Sequence, residues 1–258
     1  MNRNKINYYN NSIKLFIDND DIFNKYKTIF TYNNQFILSN ILLSFSYNLN
    51  NKLKQDDLLY SFSLCFEILD YFITNNISSI DIYFKFNNII ISKLLSYIYS
   101  IHNQNQQKII INQIKEYNKL IDYIKIFNNE YKINDNPTII NYVEFTEKSY
   151  NLLFKNIFNL IWFYNNNFGT NKFKKISSYF SIIYKIYVDC FNDDTIFNFK
   201  KYFSYQDIFN LYTTTKEKLL TELNEQNIHF DYFNNIIDFI DKIIVSILLS
   251  RLSIVSSN

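Results

Sequence analysis

An all-α fold is the class this sequence predicts, and three observations predict it. Apolar residues recur at the three-and-four spacing of a helix face in about nine segments. No segment shows convincing strand alternation, although β-branched and aromatic residues abound. Connections are short and rich in Asn and Asp, which suits antiparallel neighbours in a bundle. The chain has 258 residues, 48% hydrophobic and 19% charged, a globular composition long enough to bury one large core. A single-domain helical bundle of about nine or ten helices is expected, spanning 19–258 behind an amino-terminal extension at 1–18.

The expected helices run over 20–31, 34–49, 56–75, 79–101, 104–127, 138–164, 171–191, 214–224 and 231–252. Asp18, Asp20 and Asp21 cap the first; an isoleucine at Ile22 and the lack of a glycine argue against a calcium loop there. The fourth and fifth are apolar on more than one face, through Ile89, Ile90, Ile91, Leu94, Leu95 and Ile98, then Ile109, Ile110, Ile111 and Ile114. Such helices must be covered on all sides.

The sixth lies in 136–169, which holds the chain's single proline, tryptophan and glycine. Asn136 is the expected N-cap, Pro137 the first helical residue and Gly169 the stop. Its core face is expected to carry Ile139, Tyr142, Val143, Tyr150, Leu153, Phe154, Ile157, Leu160, Ile161 and Tyr164, making it the central helix. The seventh ends among Asp189, Asp193 and Asp194, where carboxylates oppose the helix dipole; solvated loop acids are the plain reading. In the last helix, the apolar stretch 243–255 has 13 residues and contains Arg251. That is short of the roughly 20 that span a bilayer, so a core helix is expected.

Composition narrows the function less than the fold. Alanine is absent, and Asn, Ile, Lys, Tyr and Phe dominate; an AT-biased genome, as in some large DNA viruses or protists, would produce this without structural selection. A formal charge of +2 with interleaved lysines leaves no footprint for nucleic acid. Cys65 and Cys190 sit inside apolar helical patterns and read as buried thiols of a cytoplasmic protein. The amino terminus is too polar for a signal peptide. His102 and His229 stand in no ligand spacing, no serine sits in a glycine-flanked elbow, and one glycine cannot build a phosphate-cradling loop.

Several landmarks resemble the polyprenyl diphosphate synthase family, of geranylgeranyl type. Pro137-Thr138, Tyr142, Lys148-Ser149 and Leu152-Leu153-Phe154 resemble its proline-threonine start, tyrosine and K-T-G-G-L-F, with the lysine one position early. Leu120-Ile121-Asp122-Tyr123 resembles the Q-G-x-D-I helix, with Lys119 for glutamine. Lys185 to Asn192 resembles Q-I-x-D-D-Y-x-N, and Phe230-Asp231-Tyr232 resembles F-E-Y. The landmarks occur in family order and imply an isoprenoid synthase fold.

In that family, Mg²⁺ held between two aspartate-rich helix ends ionises an allylic diphosphate, which isopentenyl diphosphate then attacks. The departures bear on this chemistry. Where D-D-x-x-D should follow Glu67-Ile68-Leu69, the chain runs on to Thr74-Asn75-Asn76-Ile77-Ser78. The lysine and arginine that grip isopentenyl diphosphate appear as Asn34 and Ile37. The second motif has Val188 for its first aspartate and keeps Asp189 and Asn192. The resemblance therefore implies a pseudoenzyme with no metal site, no cofactor and no catalytic residue. Lys119, Asp122, Lys148 and Ser149 would be vestiges of substrate binding, and Asp189 and Asn192 vestiges of the metal motif. Its work would be structural, regulatory or interactive, as a homodimer or beside a synthase-like subunit, the family pairing through the region 79–127. Two other readings stand beside it. One is an active prenyltransferase that uses Mg²⁺ with relocated carboxylates such as Asp18, Asp20, Asp21 and Asp193. The other is an unrelated all-α interaction protein.

Overall fold

The computed structural model describes residues 104–164, 173–193, 195–226 and 231–255, together with residues 66, 67, 70, 73, 92, 95 and 96. Among them are five α-helices: α1 (Gln104–Glu130), α2 (Ile139–Tyr164), α3 (Lys174–Phe191), α4 (Tyr205–Glu225) and α5 (Asp231–Val255), with a 3-10 turn at Phe199–Lys201. No strand occurs among the described residues. The expected helices at 20–31 and 34–49, the division at residue 18, and Asp18, Asp20, Asp21, Asn34, Ile37 and Gly169 lie outside them.

The register of aromatic pairs fixes the packing. Going up α2, Tyr150 meets Tyr184, Phe154 meets Phe180, and Phe158 meets Phe173, with centroids 6.0, 4.9 and 5.5 Å apart. Partners on α3 descend as those on α2 ascend, so the two helices are antiparallel. Lys175 of α3 pairs with Glu222 near the far end of α4, which makes that pair antiparallel too. Tyr212 and Lys216 of α4 both reach Asp241 of α5, closing the carboxyl-terminal hairpin. Phe233 of α5 packs on Phe158 and Phe180. Earlier in the chain, Phe66 packs edge-on against Tyr117 of α1, and Phe66, Glu67, Asp70 and Ile73 are helical and buried, inside the expected 56–75 segment.

Among the described residues the central helix is α3, which corrects the expectation for α2. Every side chain from Phe180 to Cys190 is buried, because α2, α4 and α5 all pack on it. Its sequence shows this as a near-continuous apolar run, the mark of a helix covered all round. α2 is covered over a wide arc: Phe145, Thr146, Ser149 and Phe158 join Tyr142, Tyr150, Leu153, Phe154 and Ile157 of the expected face in the interior.

The start of α2 also differs from expectation. Thr138 is the cap: its Oγ1 accepts the Asn141 N–H at 3.3 Å, and Asn141 Oδ1 accepts the Thr138 N–H at 2.9 Å. This reciprocal pair satisfies donors at both ends of the first turn, and Pro137 lies just before it. The helix α4 begins at Tyr205, well ahead of the expected residue 214, because Ser204 caps it by accepting the Asp207 N–H at 3.1 Å. The apolar stretch at 243–255 belongs to α5 and buries Ile244 and Leu248. No described helix is long and apolar enough to cross a membrane.

Candidate functional site

At the carboxyl end of α3 two opposite charges are buried one helical turn apart. Lys185 and Asp189 have side chains 1% and 0% exposed and form an ion pair. Their i, i+4 spacing puts both on one face of α3, the face turned to α2 and to the connection that leads to α4. Unpaired charges there would cost several kcal/mol each, so the survival of both depends on what surrounds them.

Every polar valence is met. Asp189 Oδ1 accepts from Lys185 and from the Thr195 hydroxyl at 2.6 Å. Asp189 Oδ2 accepts from the Tyr142 phenol at 2.8 Å and from the Phe199 N–H at 3.2 Å. Lys185 donates further to the Phe197 carbonyl at 2.8 Å and to Thr195 Oγ1 at 3.3 Å, which uses all three of its protons. Its ammonium also lies 5.5 and 5.8 Å from the ring centres of Tyr142 and Phe145, where the negative faces of the rings favour a cation.

The surroundings shift the neighbouring groups. Burial pushes the Lys185 ammonium below its ordinary value, while the Asp189 carboxylate pulls it back up. Burial, then the negative charge of Asp189, holds the Tyr142 phenol well above the usual tyrosine range. Burial raises the Cys190 thiol to about 12, which leaves it an inert thiol at neutral pH.

A second buried carboxylate faces the same helix. Asp70 accepts the Tyr184 hydroxyl at 2.8 Å, 114 positions along the chain, and its charge is felt by Lys185 and Tyr187. Asp70 follows Leu69 directly and was no part of the expected set. Lys185 opens the Lys185 to Asn192 landmark but carries no expected role there, and Thr195 and Asp70 belong to no motif in the sequence. The available signal was charged residues placed inside apolar helical runs.

The residues picked out by the resemblance do not share one environment. Ser149 is in the interior, donating to the Phe145 carbonyl at 2.7 Å. Lys119 is 73% exposed and pairs with Glu116 on its own helix, and Asp122 and Lys148 are exposed. Asp189 is in the network above. Asn192 lies just past α3; its carbonyl accepts Asn198 Nδ2 at 2.5 Å, and its N–H reaches the Val188 carbonyl. Asp193 is on the surface, held below the usual carboxylate range by its hydrogen bond from Lys200 and by that residue's charge. Lys200 Nζ also caps α3, donating to the Cys190 carbonyl at 3.0 Å in the last turn of the helix. Among the described residues, no three His, Cys, Asp or Glu side chains are grouped so as to hold a metal ion.

Fold and site together define an all-α protein whose most buried charges are committed to each other. Comparison with protein families, characterised proteins and solved structures returns no match.

Proposed function

We propose that this chain is a non-catalytic helical protein of the isoprenoid synthase type, with a structural, regulatory or protein-interaction role in the cytosol. The observation that carries this reading is the saturation of Asp189. In the resemblance, this is the acid retained from the second metal-binding motif. Here its two oxygens take four donors from the chain itself. Mg²⁺ would have to displace an ammonium, a phenol, a hydroxyl and an amide from a side chain that is 0% exposed. A buried, free Cys190 suits a reducing compartment.

The interactive part of the reading draws support from the region expected to pair. Leu95, Ile111, Tyr123 and Ile126 are 43, 37, 38 and 54% exposed, an apolar presence that a homodimer, or a pairing with a synthase-like subunit, would cover. The test of the non-catalytic reading is direct. Incubation with Mg²⁺, geranyl or farnesyl diphosphate and isopentenyl diphosphate should give no condensation product. Neither diphosphate should raise the melting temperature, whereas a ligand at a hundred times its dissociation constant adds about 2.7 kcal/mol. Mg²⁺-dependent chain elongation would overturn the reading in favour of an active transferase.

A further inference from the structure

Between α3 and α4 the chain crosses the end of α3 in a short segment, 195–204, whose internal hydrogen bonds are all local. The Lys200 N–H donates to Asn198 Oδ1 at 2.9 Å, the Lys201 N–H to the Asn198 carbonyl at 3.2 Å, and the Tyr202 and Phe203 N–H groups to the Phe199 carbonyl at 3.0 and 2.9 Å. Its ties to the helices are of another kind. Thr195 and the Phe199 N–H reach Asp189, and the Phe197 carbonyl takes Lys185. The others, from Asn198 to Asn192 and from Lys200 to Cys190 and Asp193, end at the last residues of α3 or just beyond it, and Ser204 at the far end caps α4 through Asp207.

Beneath the segment lies an aromatic floor. The Phe197 ring meets Tyr142, Phe145 and Tyr131 at 5.5, 5.7 and 6.5 Å, and Phe203 meets Tyr142 at 5.9 Å. Further along, α2 and α3 are held by Tyr150, Phe154 and Phe158 against Tyr184, Phe180 and Phe173. Those ring contacts involve no residue of 195–204.

We propose that 195–204 is a latched strap: the Lys185–Asp189 pair is the latch, and the strap lifts as one unit while the helices stay packed, uncovering Tyr131, Tyr142 and Phe145. Local bonds within a segment are lost together when that segment opens, and contacts outside it need not follow. A connection with its own turn, whose polar bonds to the body of α3 converge on the Lys185–Asp189 pair, has this division built in.

Native-state hydrogen exchange on the full chain in low denaturant tests it. The amides of Phe199, Lys200, Lys201, Tyr202 and Phe203 should exchange through one shared opening that is more frequent than the opening of the α3 amides from Phe180 to Tyr187. Exchange of both groups only through global unfolding would overturn the proposal. In Asp189→Asn both groups should exchange faster, because the strap is open in the unfolded chain as well, and the strap amides should gain at least about tenfold while keeping a shared opening more frequent than that of the α3 amides; strap amides left at the wild-type rate would show that the pair is no latch. If that variant fails to fold, the wild-type measurement decides alone.

Discussion

The Tyr142 phenol donates to Asp189 Oδ2 at 2.8 Å across the α2–α3 interface, and on the other oxygen of the same carboxylate Lys185 and Thr195 complete the circuit. Breaking such a buried pair from one side leaves the other charge stranded. Lys185→Met and Asp189→Asn are each expected to cost about 3–5 kcal/mol in urea unfolding. The double variant should cost clearly less than the sum, because it removes both charges at once. Tyr142→Phe should cost less, about 1–3 kcal/mol, since Phe199 still satisfies Oδ2. Additive single and double costs would show that the two charges are not coupled.

Alkali should destabilise the fold. The Cys190 thiol is raised from 9.0 to about 12, and Tyr142 and Tyr184 are raised well above 10.0. In each case the folded chain keeps a proton that the unfolded chain releases, so the stability they contribute is full below the unfolded values and is lost as pH rises above them. Lys185, lowered by burial from 10.5, acts in the opposite direction, favouring folding as pH approaches that value. The raised groups, to which Tyr187 and Tyr212 add, outweigh the lowered lysine. Unfolding free energy should fall from about pH 9 upward, with the tyrosinates of Tyr142 and Tyr184 appearing only as the chain unfolds; a tyrosinate signal from Tyr142 in the folded state would contradict it.

Phe180 is fully buried, with its ring 4.9 Å from Phe154 and 5.1 Å from Phe233, so it joins α3 to both α2 and α5. Phe180→Ala is expected to cost about 3–5 kcal/mol through lost burial and a residual cavity. Phe191, 56% exposed at the end of the same helix, should tolerate alanine within roughly 1 kcal/mol. Thermal or urea unfolding of the two variants compares core with rim on a single helix.

Ser204→Ala removes the cap of α4, whose hydroxyl accepts the Asp207 N–H and bonds to its carboxylate. About 1 kcal/mol should be lost. Ser204→Gly should lose only a few tenths, which separates capping from a general effect of truncation.

Ile126 is 54% exposed on α1. Light scattering of the wild-type chain at micromolar concentration should show a dimer or a copurifying partner, and Ile126→Lys should shift the population toward monomer. A wild-type monomer with no partner would count against the pairing.

Much of the helical architecture was legible because apolar periodicity survives a biased alphabet. α2 and α5 began and ended within a few residues of the expected positions. α4 was cut short because Tyr202, Phe203, Tyr205 and Phe209 gave aromatic density without a clean period, which hid the Ser204–Asp207 cap in front of it. The cap of α2 was misplaced for a related reason: Asn136-Pro137 is a strong local signal, yet Thr138 and Asn141 complete a reciprocal pair that Asn136 lacks. The site was far less legible. Asp189 stood out at a helix end, and Tyr142 lay on a periodic face. The i, i+4 spacing of Lys185 and Asp189 was in the sequence, but the meeting of Tyr142 with Asp189 and of Asp70 with Tyr184 depends on contacts between distant segments that no spacing encodes.

The interface of α2 and α3 is built of whole rings, Tyr150, Phe154 and Phe158 set against Phe173, Phe180 and Tyr184, in a chain without alanine. If these positions are written in A and T alone, the single-letter changes open to a phenylalanine codon within that alphabet lead to isoleucine, leucine or tyrosine. All three are large. At the four phenylalanines, drift inside such a genome therefore exchanges one space-filling side chain for another. The steps that would carve a hole in the interface, toward alanine or glycine, would demand letters that such a genome avoids.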